Sequence, residues 1–121
     1  MREKTILVID DEEEVLAVIR KRLETQGYKV ATAPTAKEGL KKVSEVKPAL
    51  ILLDIMMPEI DGLEVLRLLK SKNDTTSIPV VMLTAKSESK VIFEAEDAGA
   101  VDYIIKPYDN KELLDIVAKY S

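Results

Sequence analysis

The chain has 121 residues, about the length of one domain and enough to bury a core, with a formal net charge of −4 and neither Cys nor His. Disulfides, thiolate or imidazole metal sites and any Ser/His or Cys/His catalytic pair are therefore excluded, so chemistry must rest on carboxylates, hydroxyls and amines. Lys and Glu are interspersed with no basic stripe, no apolar run approaches the roughly 20 residues of a bilayer span, and Met1-Arg2-Glu3-Lys4 lacks a signal-peptide pattern, which together predict a soluble cytoplasmic protein with no direct nucleic-acid or membrane partner.

In chain order, two periodicities alternate five times. Thr5-Ile6-Leu7-Val8-Ile9 is an apolar run ending in Asp10-Asp11, and Val15, Leu16, Ile19 and Leu23 then recur at helical spacing up to Gly27, a natural helix stop. Tyr28 to Thr32 predicts a shorter, more polar strand nearer a sheet edge, followed by a helix from Thr35 to about Val46 that ends before Pro48. Leu50-Ile51-Leu52-Leu53 is too short for a helix and reads as a strand buried on both faces, closed by Asp54. Pro58 and Asp61-Gly62 supply turn chemistry before a third helix marked by Leu63, Leu66 and Leu69, and 71–77 is a polar loop. Pro79 to Leu83 predicts a fourth strand ending in Thr84, and a fourth helix runs from about Ser87 to Ala98. Asp102 to Ile105 predicts a fifth strand ending in Lys106-Pro107, and Leu113, Leu114, Val117 and Tyr120 form the stripe of a last helix.

Repeated strand–helix units of this length imply a doubly wound α/β domain, a parallel sheet with helices on both faces. Four helix starts carry capping pairs at the expected spacing: Asp11 with Glu14, Thr35 with Glu38, Asp61 with Glu64 and Asp109 with Glu112. The fourth helix offers only Ser87 or Ser89 without an acidic partner, which predicts the most labile start.

Ligands of open α/β sheets bind at the carboxyl ends of the strands, near the point where strand order reverses. Asp10, Asp11, Asp54, Thr84 and Lys106 all fall at such ends and converge on one edge of the sheet if the strand order is 2-1-3-4-5. Each has an ordinary alternative by itself: the acids as loop caps or helix-dipole partners, Thr84 as a turn hydroxyl, Lys106 as a solvated amine. Their joint placement favours a shared site.

These residues resemble those of the response regulator receiver domains of two-component signalling. The resemblance rests on Ile9-Asp10-Asp11, Asp54 through Pro58 with Asp61-Gly62, Thr84-Ala85, and Ala98-Gly99-Ala100 through Tyr103 to Lys106-Pro107, and it spans residues 5–120. It implies a flavodoxin-like, three-layer fold with five strands and five helices, residues 1–121 forming one receiver domain with no effector domain, and a cis Lys106-Pro107 bond. Asp54 is then the phosphoacceptor, with Lys106 and Thr84 completing the catalytic set. Clustered carboxylates without soft ligands suit Mg²⁺; by resemblance Asp11, Asp54 and the Met56 backbone carbonyl bind it directly and Asp10 through water.

Met56 stands where a second catalytic acid would be needed to protonate a poor leaving group. An activated donor is therefore expected: the phosphohistidine of a sensor histidine kinase or phosphotransfer protein, or a small acyl or amidophosphate. The resemblance further implies that Thr84, Ala85 and Lys106 hold the phosphoryl group and that Thr84 and Tyr103 act as the switch. Phe93, Tyr103 and Tyr108 would belong to a partner surface on the fourth helix, fifth strand and fifth helix, Phe93 facing outward opposite Val91-Ile92-Ala95. An FMN carrier shares the fold, but Asp10 through Glu14 would repel its phosphate. An aspartyl phosphohydrolase would need an acid in place of Met56. An inactive docking receiver would not need the acidic, Thr and Lys set.

Overall fold

The computed structural model describes residues 4–58, 60–85 and 89–121. The strands are β1 (Thr5–Ile9), β2 (Lys29–Ala33), β3 (Leu50–Asp54), β4 (Val80–Thr84) and β5 (Asp102–Ile105); the helices are α1 (Glu13–Thr25), α2 (Ala36–Val46), α3 (Gly62–Ser71), α4 (Ser89–Asp97) and α5 (Asn110–Tyr120). All strand pairings are parallel, as the alternation of periods predicts, and the order is β2-β1-β3-β4-β5, the one that brings the polar strand ends together. The uninterrupted apolar runs of β3 and β4 are buried at every residue, whereas the more polar β2 lies on an edge and is largely half-exposed.

Successive side chains of a strand point to opposite faces, and the two cores follow that alternation. Ile6, Val8, Leu50, Leu52, Val81, Leu83 and Ile104 pack against Leu16, Ile19 and Leu23 of α1 and Leu113 and Val117 of α5. Leu7, Ile9, Ile51, Leu53, Val80 and Met82 pack on the other face against Val43 of α2, Leu66 and Leu69 of α3 and Ala95 of α4. Each fully buried Leu or Ile contributes about 2 kcal/mol, so the two central strands anchor the fold.

Two of the four expected capping pairs form as predicted: Thr35 accepts from the Glu38 N–H and Asp109 from the Glu112 N–H. Asp61 caps α3 through Leu63 N instead of Glu64 N. At α1 the expectation fails. The N-cap is Glu12, whose side chain makes no capping bond, and Asp10 instead of Asp11 accepts from the Glu12 N–H at 2.9 Å. A buried Asp10 reaching along its own loop satisfies that donor and leaves Asp11 outside the cap. The start predicted for the fourth helix at Ser87 lies outside the described residues.

Gly62 is the first residue of α3, not a turn residue. A Cβ there would lie 2.3 Å from the Asp54 carbonyl oxygen and 2.7 Å from Ile55 Cα, and the Gly62 N–H donates to Ile55 O at 2.8 Å. Only glycine lets α3 begin against the end of β3, which sets the path of the chain leaving Asp54.

Candidate active site

Strand register assembles the polar residues. Ile9 pairs with Leu53, so Asp10 and Asp54 follow in one row; Asp54 itself pairs with Leu83, and Thr84 pairs with Ile105, one residue before Lys106. Continued alternation places Asp10, Asp54 and Lys106 on the face shared with Ile6, Leu52 and Ile104, toward α1 and α5. Thr84 and Tyr103 fall on the opposite face, toward α4, because Thr84 follows Met82 and Tyr103 precedes the inward Ile104.

Lys106 lies within ion-pair distance of two of the predicted residues. Lys106 Nζ lies 2.7 Å from Asp10 Oδ2 and 3.7 Å from Asp54 Oδ1, and Asp54 Oδ1 accepts from the Met56 N–H at 3.2 Å. Asp10, Asp54 and Thr84 are buried, and Lys106 is nearly so. The Lys106-Pro107 bond is cis. Ala85 is exposed at the end of β4.

The electrostatics follow from packing several acids around one cation. Burial, the Asp10 charge and a hydrogen bond with the Asp11 side chain push the Asp54 carboxyl up to about 7 against the opposing pull of Lys106 and the Met56 N–H. Burial would lower the Lys106 amine, but its bond to Asp10 and the charges of Asp54, Asp10 and Glu12 hold it above its ordinary value. Oxygens of Asp10, Asp11 and Glu12 lie within 4.8 Å of one another. This all-oxygen, net negative donor set beside Asp54 fits a hard divalent cation such as Mg²⁺.

Glu12 is the residue that sequence reasoning passed over. Its Oε1 lies 3.4 Å from Lys106 Nζ, and its only sequence signal is its place directly after the acidic pair, where it reads as one more acid of a solvated helix start.

The expected partner residues divide. Phe93 is 61% exposed and Tyr103 36%, both turned outward, while Ala95 on the same helix as Phe93 is buried. Tyr108 is half-buried and packs against the α1/α5 core, so it stands apart from those two. Among the described residues no helix is long and apolar enough to cross a membrane.

Residues 6–118 match the family model of the response regulator receiver domain. The alkaline phosphatase synthesis transcriptional regulatory protein PhoP of Bacillus subtilis is 42% identical over 91% of this chain and 45% of its own length; the phosphate regulon transcriptional regulatory protein PhoB of Pseudomonas aeruginosa is 40% identical over 92% and 48%. The chain thus spans about half the length of these relatives. Among solved structures, a CheY-like receiver domain protein of Methanospirillum hungatei superposes with a TM-score of 0.90 at 31% identity, covering 98% of this chain and 93% of that one. The Vibrio cholerae chemotaxis protein CheY4 shares the fold with a TM-score of 0.94 at 24% identity, covering 99% of this chain and 100% of that one.

Proposed function

The chain belongs to the response regulator receiver family of two-component signalling, and from that premise we propose that Asp54 accepts a phosphoryl group from a phosphohistidine on a sensor kinase or phosphotransfer protein. The chain contains no His, so that group comes from a partner. The observation that carries this reading is the Asp54 carboxylate, buried at a strand end with Lys106 Nζ 3.7 Å away and Asp10 and Asp11 beside it.

The ionised Asp54 oxygen attacks phosphorus. The P–N bond breaks with its electron pair leaving on the imidazole nitrogen, which takes a proton from water, and Asp54 becomes an acyl phosphate. Burial holds Asp54 near half-ionised at neutral pH, so positive charge in the pocket promotes its reactive form. Mg²⁺ held by Asp11, Asp54 and the Met56 carbonyl, with Asp10 acting through water, would supply that charge against both the carboxylates and the phosphoryl oxygens. The Lys106 ammonium stands where charge develops on the transferred oxygens. Hydrolysis of the acyl phosphate returns inorganic phosphate and resets the domain.

The Thr84 hydroxyl and the Ala85 N–H donate to the phosphoryl oxygens and draw the end of β4 inward. Tyr103, exposed and on the same sheet face as Thr84, turns into the vacated space, altering the surface of α4, β5 and α5 around Phe93 that meets a protein partner. A phosphoryl group that contacts one of two conformers better shifts their ratio, and a few kcal/mol between them suffices. Transfer from a phosphorylated histidine kinase in the presence of Mg²⁺ tests the reading. Wild type should take the label and Asp54→Ala should not; equal labelling of both would reject it.

A further inference from the structure

Asp10 has both carboxylate oxygens committed: Oδ1 accepts from the Glu12 backbone N–H at 2.9 Å and Oδ2 from the Lys106 ammonium at 2.7 Å. The first bond holds Glu12 in the extended conformation of the α1 N-cap, with φ −90° and ψ 111°. From there Glu12 Oε1 reaches to 3.4 Å from Lys106 Nζ, nearer than Asp54 Oδ1 at 3.7 Å, although the Glu12 side chain is 62% exposed and free to turn to water. An ammonium has three N–H donors. With Asp10 and Glu12 each accepting from it, the amine stands within ion-pair reach of Asp54 but beyond hydrogen-bond distance of it.

That separation bears on the chemistry. Attraction between unlike charges strengthens as water is excluded, so an unrestrained Lys106 would close from 3.7 Å to a hydrogen-bonded contact with the buried Asp54. Such a pair would occupy a lone pair that the nucleophile needs. An amine held back leaves Asp54 open and leaves room for a transferred oxygen to meet it. We propose that Glu12 is a positioning residue that holds Lys106 off Asp54 before transfer, a proposal that rests on Asp54 being the phosphoacceptor.

The charge of Glu12 has the opposite consequence. It repels an anionic donor, so on charge alone its removal would speed the reaction. Labelling the full chain with acetyl phosphate separates the two effects, with saturating Mg²⁺ removing any difference in cation affinity. Glu12→Ala should take up the phosphoryl group about fivefold more slowly than wild type. Glu12→Gln, which loses the charge but keeps an oxygen for Lys106, should recover most of the rate. A Glu12→Ala rate equal to or above wild type, or a Gln variant as slow as Ala, overturns the proposal. Wild type that takes up no phosphoryl group instead overturns the assignment of Asp54.

Discussion

Replacing Asp54 by Asn should stabilise the metal-free protein, and the gain should depend on pH in a defined direction. The folded chain raises the Asp54 carboxyl from 3.8 to about 7, burial being the largest cause and Asp10 the next. Below about pH 3 the group is protonated in both folded and unfolded chains and costs nothing. As pH rises from about 3 to about 7 the unfolded chain ionises first, so the folded state loses stability across that window. Above about pH 8 the full penalty is in place. At about 1.4 kcal/mol per unit it is on the order of 4 kcal/mol. Asn has nearly the same shape and keeps an acceptor for the Met56 N–H, but carries no charge to bury. Urea unfolding at pH 8 in chelator should therefore show Asp54→Asn more stable by on the order of 3–4 kcal/mol, with a melting temperature on the order of 10 °C higher. The gap should close as pH falls toward about 3, and it should shrink at pH 8 when Mg²⁺ is added to the wild type. A variant no more stable than wild type at pH 8, or a gap that widens on acidification, would refute the electrostatic picture of the pocket.

The same crowding of carboxylates makes cation binding release protons: calorimetry in buffers of different ionisation enthalpy should register about half a proton per Mg²⁺ at pH 7, falling toward none by pH 9. Lys106→Met removes the only ammonium bonded to the fully buried Asp10 among the described residues. It should cost about 2–3 kcal/mol in urea unfolding as well as most of the phosphorylation rate. Gly62→Ala forces a Cβ against the Asp54 carbonyl at 2.3 Å, and should cost about 1–3 kcal/mol by the same measurement while slowing labelling of Asp54. Phe93→Ala exposes no core, so it should leave the melting temperature within about 1 °C while weakening binding of the phosphorylated domain to its target.

Much of this site is legible in the sequence because the strands announce themselves. Leu50-Ile51-Leu52-Leu53 and Val80-Val81-Met82-Leu83 are continuous apolar runs, and a polar residue breaking such a run must lie at its end. Parallel pairing then brings Asp10, Asp54, Thr84 and Lys106 to one edge. The division of labour within the pocket is less legible, because it turns on single-residue steps. Asp10, not Asp11, bonds both Lys106 and the α1 start, since it shares the row and face of Asp54. The pair Asp11 and Glu14 has the spacing of a cap, yet the helix begins one residue later than that pattern assumes. Gly62 looks like half of an Asp-Gly turn, and only packing against the β3 backbone shows that it needs to lack a Cβ. Glu12 has no sequence signal beyond following the acidic pair, and what singles it out is its contact with Lys106 from a backbone held by Asp10.

The most direct measurement is the position of the phosphoryl group. The full chain is incubated with Mg²⁺ and a phosphohistidine donor, the acyl phosphate is trapped by borohydride reduction, and the peptides are mapped by mass spectrometry. The account predicts one reduced residue, at Asp54, and none in Asp54→Asn. Reduction at Asp10, Asp11 or any other carboxylate in place of Asp54 would contradict it.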